Sequence, residues 1–127
     1  MRPEERVLKA LEDVLDCATF VVAASEGKDL AYYRSDRLFR QAVERNLEII
    51  GEAIARISRY DAETASRISE QRRIVGFRNR LIHGYDLLDD SLVWDTVKKD
   101  VPLLILEVEG LLTEREERGS EGIEPDR

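Results

Sequence analysis

A chain of 127 residues, 43% hydrophobic and 37% charged, has enough material for one domain with a modest core. Its only cysteine, Cys17, excludes an intramolecular disulfide and a four-cysteine metal site, which fits a reducing, cytoplasmic setting. The formal net charge of −7 argues against indiscriminate nucleic-acid binding; no signal-peptide pattern follows Met1, and no apolar run approaches the roughly 20 residues of a membrane span, so a soluble protein is expected.

In chain order, Val7, Leu11, Val14, Leu15, Ala18, Val21 and Val22 recur at three- and four-residue intervals, with Glu4 and Glu5 placed for a first turn. A helix from about Pro3 to Ser25 is predicted, ended by Gly27-Lys28-Asp29. Ser35 or Asp36 can cap a second helix whose stripe runs from Phe39 through Val43, Ile50 and Ile54 to Ile57, ending near Ser58. Asn46 interrupts that stripe and needs a hydrogen-bond partner, while Gly51 suits close approach of another helix. A third helix leads from Thr64 or Ser66 through Ile74, Phe77, Leu81 and Ile82, with Gly84 where a C-terminal glycine would sit. Asp86 to Asp90 reads as an acidic turn. A last helical region, Ser91 to about Arg115, must kink or break at Pro102, where Asp100 could cap a restarted half. Residues 119–127 read as a flexible acidic tail behind a helical domain of residues 1–118. The fold class is all-α, an antiparallel bundle of four to five helices, expected to dimerise.

Charge is unevenly spread. Residues 56–80 carry seven arginines against three acids, whereas residues 86–127 hold thirteen acids against five bases. Within the arginine-rich stretch lies Phe77-Arg78-Asn79-Arg80-Leu81-Ile82-His83-Gly84-Tyr85, with the sole histidine. On a regular helix His83 lies roughly 40° from Asn79 and about 140° from Arg78. Asn79 can therefore orient the imidazole. Arg78 converges on it only if the helix ends near Gly84, the arginine curls round, or a two-fold axis brings in a second copy. Histidine exchanges a proton near neutral pH and arginine binds phosphate with two donors, a pairing suited to phosphodiester chemistry. The bland reading is equally physical: a histidine at a helix C-terminus can simply meet the last carbonyls, and Tyr85 can simply pack.

Arg78-Asn79-Arg80-Leu81-Ile82-His83-Gly84-Tyr85 resembles the Arg-x4-His-x-Tyr signature of HEPN ribonucleases, specifically the HepT toxin branch. Glu44 to Ala53 is similar to the second-helix segment of that branch, and Val93 to Pro102 to the segment after its active-site turn; roughly residues 5–115 are covered. The chain departs from the pattern between Tyr60 and Glu70, which is Ala/Ser/Thr-rich where such toxins more often place an apolar, tryptophan-containing approach.

The resemblance implies a HEPN-like dimer of helical bundles with a metal-independent ribonuclease site in the cleft between subunits, needing no cofactor. Arg78 and His83 would be catalytic, with Asn79 and Arg80 supporting. Its implied partners are an RNA substrate, possibly tRNA, and an MntA-like nucleotidyltransferase antitoxin that transfers AMP from ATP onto Tyr85, in a higher assembly with the toxin. Two alternatives stand beside it: a non-catalytic helical module that binds a nucleotidyltransferase or a nucleotide, and a structural dimer whose motif only caps and packs a helix.

Overall fold

The protein is described by a computed structural model over residues 1–69, 74 and 89–121. Its elements are α1 (Pro3–Ser25), α2 (Leu30–Ser35), α3 (Arg37–Tyr60), α4 (Ala62–Ser66), α5 (Asp90–Asp95), a π-helical turn (Thr96–Asp100) and α6 (Val101–Glu121). No strand occurs among the described residues, and the all-α bundle expected from periodicity is what forms.

α1 is the central helix, packed most extensively on α3 and next on α6. Both contacts run antiparallel. Asp13 and Cys17 of α1 face Arg56 and Arg45 of α3, and the C-terminal Ser25 of α1 meets Lys98 at the start of the α6 run. Each long helix turns one apolar stripe inward: Leu11, Val14, Ala18 and Val21 from α1; Leu47, Ile50, Ile54 and Ile57 from α3; Val101, Leu104, Val108 and Leu111 from α6. Their three- and four-residue spacing is the amphipathic signature that predicted the helices.

Aspartates start α2, α3, α4 and α5. Asp29 accepts the Tyr32 amide at 2.8 Å, Asp36 that of Phe39 at 2.9 Å, Asp61 that of Thr64 at 3.1 Å and Asp89 that of Ser91 at 2.9 Å. Each satisfies an amide that the first helical turn leaves without a partner. Asp36 is one of the two caps foreseen for α3. Asn46 is half-buried, and its Nδ2 donates to the Ala42 carbonyl at 2.8 Å; Gly51 is buried within α3.

Five expectations are corrected. Gly27-Lys28-Asp29 gives way at once to α2, whose sequence is too short to show periodicity and whose buried Tyr33 holds it to the bundle. α3 runs to Tyr60, two residues beyond the predicted Ser58, until Asp61 leaves helical geometry and caps α4. The Tyr60–Glu70 stretch accordingly contains a short helix, and Ala65 and Ile68 are buried. Pro102 neither breaks nor restarts the last helix. The Val101 amide bonds to the Thr96 carbonyl five residues back, and this π turn passes the chain into α6 without a break, so no Asp100 cap is needed. α6 then continues to Glu121, past the predicted Arg115.

Candidate functional site

The predicted site residues Arg78, Asn79, Arg80, His83 and Tyr85 lie outside the described residues, as do the predicted third helix beyond Ile74, its Gly84 terminus and the Asp86–Leu88 part of the acidic turn. The described chain defines the borders of the segment that holds them.

At the upstream border, Ser69 donates its amide and hydroxyl to the Glu107 carboxylate on α6, the hydroxyl at 2.8 Å. Arg67 forms a two-bond fork with Glu114, at 2.5 and 2.7 Å. The arginine's hydrogen bonds and charge lower the Glu114 pKa below the usual carboxylate range, and the same contact raises that of the guanidinium. One turn earlier, Asp61 accepts the Thr64 hydroxyl at 2.6 Å and Arg115 Nη2 at 3.2 Å. The Thr64 hydrogen bonds, with help from Arg115, hold its carboxyl below the ordinary value.

Of these groups, Asp61, Thr64, Arg67 and Glu114 line a cleft of about 370 Å³ with Glu63, Glu117 and Arg118. Four carboxylates face two arginines there, and one arginine is already forked to Glu114. The cleft is a poor receiver for a polyanion. Part of the basic character of residues 56–80 is spent the same way, since Arg56 stands 3.8 Å from Asp13 and Arg67 is bound to Glu114. That neutralisation depends on which helix faces which.

At the downstream border the chain is held differently. Asp89 caps α5, and Arg34 of α2 reaches Ser91 Oγ at 3.2 Å and Asp90 at 3.7 Å. Beneath them the Tyr33 ring stacks on Trp94 at 5.5 Å, and Phe39 meets Trp94 edge-on at 5.9 Å and Tyr32 at 5.1 Å. Tyr33 is fully buried and its hydroxyl donates to Glu44 Oε1 at 3.2 Å. Burial raises the pKa of both partners: the phenol by desolvation and the nearby carboxylate charge, the Glu44 carboxyl by desolvation that outweighs the Tyr33 bond and Arg40. Lys98 stands over the Trp94 ring at 4.9 Å and donates to the Ser25 carbonyl at 2.8 Å, closing the C-terminal end of α1.

Among the described residues no group of three or more His, Cys, Asp or Glu side chains is placed to hold a metal, and no helix is long and apolar enough to cross a membrane. Sequence reading missed Arg34, Glu44, Glu107 and Arg115 as structural partners. Each acts on a residue distant in the chain, and no local pattern marks them.

Comparison with known proteins adds what the geometry leaves open. The profile of the family described as Ribonuclease HepT-like matches residues 7–111. A Methanocaldococcus jannaschii protein named as a candidate RNase is 39% identical over 106 residues, covering 83% of this chain and 96% of its own. A second candidate RNase, from Caldanaerobacter subterraneus, is 30% identical over 102 residues, 80% of this chain and 90% of its own. A Thermococcus cleftensis protein named as a probable ribonuclease HepT is 32% identical over 94 residues, 74% of this chain and 84% of its own.

Proposed function

Because this chain belongs to the HepT-like ribonuclease family, we propose that it is a metal-independent endoribonuclease, the toxin of a toxin–antitoxin pair, with Arg78 and His83 as its catalytic residues. The observation that carries the reading is that the family match over residues 7–111 takes in the whole Arg78–Tyr85 motif.

The chemistry follows from the side chains. His83 takes the proton from a ribose 2′-hydroxyl, whose oxygen attacks the adjacent phosphorus in line. The bond to the 5′-oxygen breaks, and that oxygen leaves with a proton from an imidazolium. The products are a 2′,3′-cyclic phosphate and a 5′-hydroxyl. Arg78 bears on the charge that grows on the non-bridging oxygens, with a bidentate fork suited to phosphate. Two copies sharing a cleft would let one His83 act as base and the other as acid. Asn79 orients His83, and Arg80 attracts the RNA backbone.

Control falls on Tyr85. A nucleotidyltransferase antitoxin bound to the toxin joins the Tyr85 phenolic oxygen to the α-phosphorus of ATP; the α–β phosphoanhydride bond breaks and pyrophosphate leaves. The added AMP sets negative charge and bulk where RNA phosphate must sit. ATP is then the partner's substrate.

Incubation of bulk RNA and tRNA with the purified protein in EDTA, beside Arg78→Ala and His83→Ala, tests this. The expected result is cleavage leaving 2′,3′-cyclic phosphate ends, reduced at least about a hundredfold in both folded variants. Absence of cleavage by protein shown by mass to be unmodified at Tyr85 would overturn it and favour a non-catalytic binding module.

A further inference from the structure

Where α1 and α6 run side by side they leave a groove with an apolar floor and an acidic rim. At one end Leu8, Glu12, Leu112, Arg115 and Glu116 line a cavity of about 370 Å³. Leu8 is 39% exposed there. The same two flanks continue along the helices: Leu15 and Val22 follow Leu8 on α1, Ile105 precedes Leu112 on α6, and all four are partly buried against the core. From Leu8 to Val22 is about 21 Å, four helical turns. Glu12, Glu109 and Glu116 stand exposed along it at helical spacing. Among the described residues none of the three is in an ion pair. The one base at the groove, Arg115, is already given to Asp61 and Thr64.

We propose that this groove takes a basic amphipathic helix of a different protein, its apolar stripe on the leucines and its lysines or arginines beside the three glutamates. Two antiparallel helices offer a third helix a ready seat, with anchors every three or four residues. Charge selects the occupant. A second copy docking groove to groove would set glutamates against glutamates. The chain's own residues 122–127 carry two acids against one arginine, and six residues make less than two helical turns. Glu107 and Glu114, which hold the upstream border of the motif segment, lie about 160° round α6 from Glu109, Leu112 and Glu116. A helix held in the groove therefore leaves that border uncovered.

This docking does not depend on ribonuclease chemistry, and its test involves no RNA. The probe is a labelled peptide of about 18 residues, with leucines at every third or fourth position along one helical face and lysines flanking them. Its fluorescence anisotropy is followed on titration with the full chain at low salt, and circular dichroism verifies folding of each variant. Saturable one-to-one binding is expected. Glu12→Lys with Glu116→Lys should weaken it at least about tenfold, and Leu8→Glu by a similar factor. Glu26→Lys with Glu52→Lys, which changes the net charge equally at exposed sites away from the groove, should weaken it less than about threefold. The same peptide with glutamate for lysine should bind the Glu12→Lys, Glu116→Lys chain more tightly than the parent. Absence of saturable binding, equal binding of a scrambled peptide of the same composition, or an equal loss in the control chain would each overturn the proposal. So would self-association of the parent that the groove substitutions abolish, which would give the groove to a second copy. Should Leu8→Glu fail to fold, the charge reversals decide alone.

Discussion

The segment that holds the motif is bordered by two fastenings of opposite physical kind. Upstream, Arg67 and Ser69, on either side of the buried Ile68, are tied to Glu114 and Glu107 by exposed polar contacts. Downstream, α5 rests on an aromatic cluster of the buried Tyr33 and Trp94 and the partly buried Phe39, with the Arg34 contacts above it. The first draws on Coulomb attraction in a high-dielectric setting, which salt screens; the second draws on apolar area removed from water, which salt leaves intact. One chain thus holds its two borders with strengths that respond to different solution conditions.

The largest effect should come from the buried side. Trp94 is 8% exposed and makes ring contacts with Tyr33 and Phe39 as well as lying under Lys98. Trp94→Ala removes all of these and leaves a cavity between α2, α3 and α5. Destabilisation of about 3–5 kcal/mol is expected in urea titrations, equal within error at low and high ionic strength. A loss below about 1 kcal/mol, or one that varied with salt, would erase the contrast between the two borders.

The second prediction concerns a cost carried by the same cluster. Glu44 accepts from Tyr33, yet burial raises its pKa above the ordinary value of 4.5. The folded state therefore binds this proton more tightly than the unfolded one. Its contribution to stability is greatest below the unfolded value and falls as pH rises through the window up to the raised folded value. Glu44→Gln keeps an acceptor for the Tyr33 hydroxyl and removes the charge. Stability at pH 7 should rise, and the part of the pH dependence above pH 4.5 that this carboxyl contributes should disappear. A variant less stable at pH 7 than the parent would show that the ionised Tyr33–Glu44 pair is net favourable.

How much of this could be read from the chain depended on range. The limits of α1 and the Asp36 cap of α3 were legible because they rest on spacing and on one side chain reaching three residues ahead. α2 was not. Six residues show no period, and what keeps Leu30–Ser35 helical is the burial of Tyr33 against Trp94, 61 positions away. Pro102 shows a different limit. A proline forbids one hydrogen bond, but whether the chain breaks or widens into a π turn depends on what surrounds it, here the Lys98 contact with the end of α1 and a buried Thr96 whose hydroxyl donates to the Leu92 carbonyl. For the motif, sequence and family similarity speak where the described structure does not reach. The arginine excess around it was legible as a count, but a count does not show that Arg56 and Arg67 face carboxylates from other helices.

The smallest effect belongs to the upstream border and completes the contrast. Arg67 and Glu114 form a fork, the best geometry open to an exposed pair, yet their side chains remain 51% and 41% exposed. Arg67→Ala should therefore lower the urea midpoint only slightly in low salt, and parent and variant should coincide near 1 M NaCl, where the screening length is about 3 Å. Ser69 has its own contact with Glu107 and Ile68 is buried between the two, so this border loses one tie and keeps its place. If the deficit persisted unchanged at high salt, the arginine would be acting through the packing of its aliphatic stem rather than through its charge.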